Sequence, residues 1–167
     1  MSDQSFRSRE LILNEETAAA VEDLRAWAAG EWPPNAEAGL LAGRIADFSQ
    51  RFLAWVYVTR AVIEPFGVPN TVAEIMADAC VGALSDDESS EHFLQAQTIV
   101  MAQEQGEPDA VDRMLSEITE PTAQGTVLGM AVLTAHEAVR RASSRAQVSK
   151  AELLERAFGA EEASAAD

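Results

Sequence analysis

Residues 121–143 read PTAQGTVLGMAVLTAHEAVRRAS and carry only one acidic and two basic side chains. Pro121 stands where a helix accepts proline, because an N–H in the first turn has no partner in the helix. Arg140 and Arg141 lie near the other end, where positive charge complements the helix dipole. The stretch between them is rich in apolar residues, so it predicts a long, central, buried helix.

A second segment, residues 36–64, predicts the other central helix. Its apolar side chains recur at helical spacing, and from Phe52 to Val58 it is apolar on all sides, which is typical of a buried helix. The prolines all fall between such segments. Four glycines each follow one, where a helix can end at low cost: Gly30, Gly67, Gly106 and Gly159.

The whole chain therefore predicts an all-α, single-domain bundle of six or seven helices. Besides the two central segments, helices are expected at about 15–29, 88–105 and 108–120. Two more should begin at the capping boxes TVAE and SKAE, which start at Thr71 and Ser149. Residues 1–13 are expected to form an N-terminal arm, 14–159 the helical domain, and 160–167 a frayed acidic tail.

The chain is strongly acidic, with 12 basic and 28 acidic side chains and a net charge of −16. This charge repels phosphate backbones and anionic lipids, so neither duplex nucleic acid nor a membrane surface is an expected partner. Lowering the pH from neutral toward about 5 should relieve the self-repulsion. No secretory signal or bilayer-length apolar segment is recognised, which favours a cytoplasmic location.

Glycine pairs mark both central segments. Gly39 and Gly43, and Gly125 and Gly129, each form a G-x-x-x-G pattern. An interior glycine costs a helix up to about 1 kcal/mol relative to alanine. We therefore expect these glycines to allow a close contact between helix backbones that offsets this cost. The contact could be a helix crossing within the chain, or a two-fold interface between copies.

Paired acids at helical spacing are the only pattern that indicates metal chemistry. Glu88 and Glu91, and Asp109 and Asp112, each place two carboxylates on one helix face. Two such pairs facing each other could hold Mg²⁺ against a phosphate. The arrangement is similar to that of all-α nucleotide pyrophosphohydrolases, which use Glu-x-x-Glu followed by Glu-x-x-Asp; here the second pair is Asp-x-x-Asp. The alternative interpretation is a pair of solvated helix faces.

A basic segment and two histidines complete the set of notable polar residues. Arg140, Arg141, Arg145 and Lys150 follow one another with no acid between them, and could contact an anion or an acidic peptide. His92 and His136 lack the partner residues at the spacings that zincin or di-iron helices require. Cys80 is the only cysteine, and we expect a buried, unmodified thiol.

No catalytic set and no cofactor signature is present, so the sequence favours a non-enzymatic module that acts by protein–protein association, as a homodimer or with another protein. Two alternatives remain open. One is the Mg²⁺-dependent phosphohydrolase. The other is a site for a small apolar ligand in the helical core, lined by Phe48, Phe52, Trp55 and Met130. Trp32, in a proline-containing connection, could anchor a partner or cover the end of the bundle.

Overall fold

The computed structural model describes residues 3–30, 48–81 and 87–166, with side chains for residues 16–30, 48–81 and 87–159. These ranges hold seven α-helices and no β-strand, which confirms the all-α prediction. The helices are α1 Asp3–Ala28, α2 Phe48–Ile63, α3 Val72–Cys80, α4 Asp87–Glu104, α5 Pro108–Glu117, α6 Pro121–Ala146 and α7 Lys150–Ala166. None of the helices in these ranges is long and apolar enough to cross a membrane.

Side-chain caps and prolines start the helices where the sequence predicts. Thr71 accepts a hydrogen bond from the Glu74 amide at 3.1 Å, and the Glu74 carboxylate accepts one from the Thr71 amide at 2.9 Å. This reciprocal pair is the predicted capping box of α3. The Ser149 hydroxyl caps α7 by accepting from the Glu152 amide at 3.1 Å. Pro108 and Pro121 occupy the first turns of α5 and α6, so these helix starts are confirmed.

Two terminal boundaries differ from the prediction. α1 begins at Asp3, so the helix starts well before the expected residue 15. α7 continues through Gly159 to Ala166, so Gly159 does not end a helix and residues 160–166 are helical. The reason is propensity: the alanine- and glutamate-rich residues around Gly159 outweigh the roughly 1 kcal/mol cost of one interior glycine. Of the predicted segment 36–64, the part before Phe48 lies outside the described residues.

Helix α6 lies at the centre of the bundle. It packs most extensively against α2, and also against α3, α4 and α7, while α2 also packs against α1. Two buried hydroxyls on these central helices bond within their own helix. Thr59 donates to the Trp55 carbonyl and Thr134 to the Met130 carbonyl, both at 2.7 Å. The helices thus satisfy these polar groups internally, as buried groups require.

Cys80 is fully buried at the end of α3, as predicted. Its thiol faces the Met130 carbonyl of α6, with 3.8 Å between Sγ and oxygen. Burial raises the pKa of this thiol to about 11, because the thiolate would lose its hydration. The residue therefore behaves as a small apolar side chain at the α3–α6 contact.

His136 is a buried polar residue at the contact between α6 and α1. Its ring stacks on Trp27 with centroids 4.1 Å apart and planes 2° from parallel, and only 4% of the residue is exposed. Burial, followed by the positive charges of Arg140 and Lys150, lowers the pKa of His136 from 6.5 to about 3. The imidazole is therefore neutral in the folded protein at any pH above about 3.

Replacing His136 with phenylalanine should make the fold more resistant to acid. The unfolded chain binds a proton near pH 6.5 and the folded chain does not, so the wild type loses stability as pH falls from 6.5 toward 3. At pH 5 this loss is on the order of 2 kcal/mol. Urea unfolding at pH 7 and pH 5 should show His136→Phe gaining about that much on the wild type.

His92→Gln is measured beside it, since it removes the other imidazole, which lies half-buried on α4. If His136→Phe and the wild type differ in unfolding free energy by the same amount at pH 7 and at pH 5, the low pKa of His136 in the folded protein is contradicted, however large that difference is.

The glycine pairs have different outcomes. Gly39 and Gly43 lie outside the described residues, and Gly125 is half-buried in the first part of α6. Gly129 is also half-buried, but an ideal Cβ built on it has no atom of a neighbouring element within 4 Å. The close helix crossing predicted at Gly129 is therefore absent from the described part of the chain. A contact of Gly125 or Gly129 with the segment that holds Gly39 and Gly43, or with a second copy, remains a prediction.

Gly129→Ala should stabilise the protein, by about 0.5–1 kcal/mol, because alanine favours the helix and its Cβ meets no neighbouring element among the described residues. Gly106→Ala is the matched contrast. It also has open space around its Cβ, but its φ of +71° penalises any side chain, so it should destabilise by about 1 kcal/mol. Chemical denaturation of both variants measures the difference.

The same Gly129 position tests self-association. Sedimentation of Gly129→Leu and of the wild type reports whether a bulky side chain there separates two copies. If Gly129→Ala destabilises the chain, a neighbour does contact this face, and the open-space description of Gly129 is wrong.

Candidate functional site

The predicted metal ligands are not brought together. Glu88 and Glu91 lie in the first turns of α4, whereas Asp109 and Asp112 lie in α5, just after the connection between the two helices. At 1.5 Å per residue, Glu91 is about 20 Å along α4 from that connection. Among the described residues no group of three or more potential ligands could hold a metal ion. The two carboxylate pairs therefore do not face each other, as the phosphohydrolase hypothesis would require.

The four residues of the predicted apolar ligand site lie in the core, and a ligand bound among them remains a prediction. Phe48, Phe52, Trp55 and Met130 are each at most 6% exposed and belong to the hydrophobic core. The Phe48 and Phe52 rings lie 6.3 Å apart in a tilted arrangement. Trp32, the predicted partner anchor, lies outside the described residues. These four core side chains therefore stabilise the bundle by packing against it.

A groove between α4 and α5 is the clearest apolar surface feature. It has a volume of about 300 Å³ and is lined on α4 by Leu94, Thr98 and Ile99, and on α5 and just beyond it by Met114 and Ile118. Ile99 and Ile118 form its buried floor. Leu94 stands at its edge with 60% of its surface exposed, so a large apolar side chain projects from the groove into solvent.

The exposed stripe continues along α4. Met101, seven residues after Leu94, is 46% exposed, and seven residues bring a side chain back to the same helix face. The sequence analysis missed this surface, because it predicts a helix at about 88–105 without separating the buried apolar residues from the exposed ones. Phe93, Ala96 and Val100 do face inward. Leu94 and Met101 form a second stripe on a different face, and two stripes on one helix were the signal available in the sequence.

The groove has an acidic surround. Glu91 and Glu117 line it. Glu88 lies one turn before Glu91, and the Glu88 carboxylate is 3.8 Å from Nε2 of His92. α4 carries four acidic side chains and α5 carries three, against the single arginine Arg113. The described surface at this site is therefore an apolar centre with a negatively charged rim.

Three of the four predicted basic residues lie elsewhere, in the C-terminal half of α6, and Lys150 begins α7. Arg140, Arg141 and Arg145 line a pocket of about 490 Å³ together with residues 68–70 of the α2–α3 connection, Glu137 and Ser144. The structure thus brings three of the four predicted anion contacts into one concave site. Lys150 is not part of its lining. Its ammonium lies 4.8 Å from the ring centroid of Trp27.

Each arginine of this pocket is held by a specific contact. Arg141 donates to Asp78 at 2.6 Å and to Glu137 at 3.2 Å, and these partners, Asp78 first, raise its pKa. Arg140 donates to Glu137 at 3.3 Å and lies 5.3 Å from the Trp27 ring centroid. Arg145 donates through Nε to the Phe66 carbonyl at 3.1 Å. The three guanidinium groups are therefore oriented before any ligand arrives.

No family model, curated protein or solved structure matches this chain, so its function has to be argued from the two surfaces just described.

Proposed function

We propose that this chain is a helical protein-association module, and that it binds a basic amphipathic helix of a partner protein in the α4–α5 groove. The observation that carries the proposal is the exposed leucine at the edge of an apolar groove with an acidic rim. An association module needs an apolar surface that is exposed to water until the partner binds, and charged residues around it that select the partner.

The apolar part of the argument rests on Leu94, Met101 and Met114. Leu94 and Met101 are exposed on one face of α4, and Met114 is half-buried across the groove. Leu94 and Met114 line the groove and Met101 lies about two turns farther along α4, so a partner helix laid along this face would cover all three. Fully burying one large aliphatic side chain contributes about 1.5–3 kcal/mol. Methionine adapts its shape to different partners, which suits a recognition groove.

The charge argument determines the kind of partner. Glu91 and Glu117 at the groove, with Glu88 one turn away, attract lysine and arginine, and would repel a second copy of the same surface. The partner therefore presents apolar residues at helical spacing, with basic residues beside them, in the manner of a helix lying in a groove. A homodimer, the association expected from the glycine pairs, would use the Gly129 face of α6.

The phosphohydrolase reading has weaker support in the described residues. Its two carboxylate pairs lie at opposite ends of the α4–α5 hairpin, and the arginines line a different pocket. A metal-dependent reaction on a phosphate needs both at one place.

The proposal predicts site-specific binding of a designed probe. The probe is a fluorescein-labelled helical peptide of about 18 residues, with leucines along one face and lysines flanking them. It should bind the wild type saturably, with affinity that falls as salt rises. Leu94→Gln should weaken binding roughly tenfold, about 1.4 kcal/mol, as measured by fluorescence polarisation.

Tyr57→Gln is the matched control, because Tyr57 is the exposed large side chain of α2 and is 52% exposed. Both changes leave the net charge unaltered, and only the change at Leu94 should reduce binding. A second peptide with glutamate in place of each lysine should bind at least tenfold more weakly. Equal binding of the probe by Leu94→Gln and Tyr57→Gln, or no saturable binding at all, would refute the proposal.

A further inference from the structure

The arginine pocket on α6 is a second site, built from different residues than the groove. Its wall on one side is the α2–α3 connection, with Val68, Pro69 and Asn70, and on the other side the helix face with Arg140, Arg141, Ser144 and Arg145. A volume of about 490 Å³ lies in the range of clefts that hold small molecules. The wall combines two apolar side chains with convergent polar ones.

Arg145 is the residue best placed to bind a ligand. Its Nε bond to the Phe66 carbonyl and its packing at Gly67 fix the plane of the guanidinium. An ideal Cβ on Gly67 would lie 3.4 Å from Nε of Arg145, so the guanidinium packs closely against this part of the backbone, and the φ of +69° at Gly67 favours glycine there. This single bond uses one of the five N–H donors, and in the described residues the two terminal nitrogens have no acid against them.

The charge balance of the pocket favours an anion. Three guanidinium groups face two carboxylates, and Glu137 is shared between Arg140 and Arg141 while Asp78 bonds Arg141. Among the described residues, the nearby acids are therefore paired with Arg140 and Arg141, and no acid pairs with Arg145. Because the whole chain has a net charge of −16, this local excess of positive charge would attract an anion to the pocket while most of the surface repels it.

We propose that this pocket binds a small organic anion through its phosphate or carboxylate group, with an apolar part of the molecule against Val68 and Pro69. The terminal nitrogens of Arg145 form a planar fork that matches two oxygens of either group. Asn70 and Ser144 supply neutral donors at the rim. The apolar wall distinguishes an organic anion from an inorganic one.

Nitrogen-15 NMR titrations of the full chain test this assignment with three matched probes. Phenyl phosphate and benzoate carry the two anionic groups on the same ring, and phenol carries none. At least one of the anions should cause saturable shifts centred on residues 66–70 and 140–145. Inorganic phosphate should bind more weakly than phenyl phosphate, and the stronger of the two ring anions identifies the preferred group.

Arg145→Gln should weaken anion binding at least tenfold, and Arg156→Gln should not. Arg156 lies on α7, where it pairs with Glu152 at 3.0 Å, so both variants remove one guanidinium. Because Arg145 also holds the α2–α3 connection, Asn70→Ala provides a second variant that keeps this bond and should also weaken binding. Non-saturating shifts, shifts spread over the surface, equal shifts with phenol, or unchanged affinity in Arg145→Gln would each overturn the proposal.

Discussion

The packing of α6 against α2 is the interaction on which the rest of the molecule depends. These two helices contribute the largest sets of buried residues, and every other described helix packs against at least one of them. Helix α6 buries Val127, Ala131, Ala135, Ala138 and Ala142 on its inner side, so small side chains let the neighbouring helices approach closely. The C-terminal half of the same helix carries the arginines on its outer side. One helix thus supplies both the core and a polar site.

The sequence predicts the helices well, because helix starts and ends are local features. Thr71 and Ser149 cap their helices with hydrogen bonds to residues three positions away, and Pro108 and Pro121 need only the first turn. The ends of the chain are predicted less well. At Gly159 the glycine rule competes with strong helix formers on both sides, and the helix formers decide the outcome.

The sites are less predictable than the fold, since they depend on which helix faces meet. The arginines at 140, 141 and 145 are recognisable as a basic segment, but the Phe66 carbonyl and residues 68–70 come from a connection more than 70 residues earlier. Trp27 is similarly distant from His136, and nothing in either local sequence predicts their stacking. Residues 88–105 contain the apolar groove stripe, yet only the position of α5 shows which apolar residues stay exposed. The response of the fold to acid is also only partly predictable from the sequence. The net charge predicts that a lower pH relieves self-repulsion. The opposing loss of stability from the low pKa of His136 can be predicted only when the burial of His136 is known.

The two buried threonines have a consequence for how this core can change. Thr59 and Thr134 each donate their hydroxyl hydrogen bond to a carbonyl of their own helix. These polar groups therefore do not fix the position of α2 relative to α6. That position is then specified by the shapes of apolar side chains. Cores of this kind tolerate many simultaneous hydrophobic exchanges as long as total volume is conserved. Chains with the same helical arrangement can therefore diverge far in sequence, and keep the fold through complementary exchanges rather than through a few fixed residues.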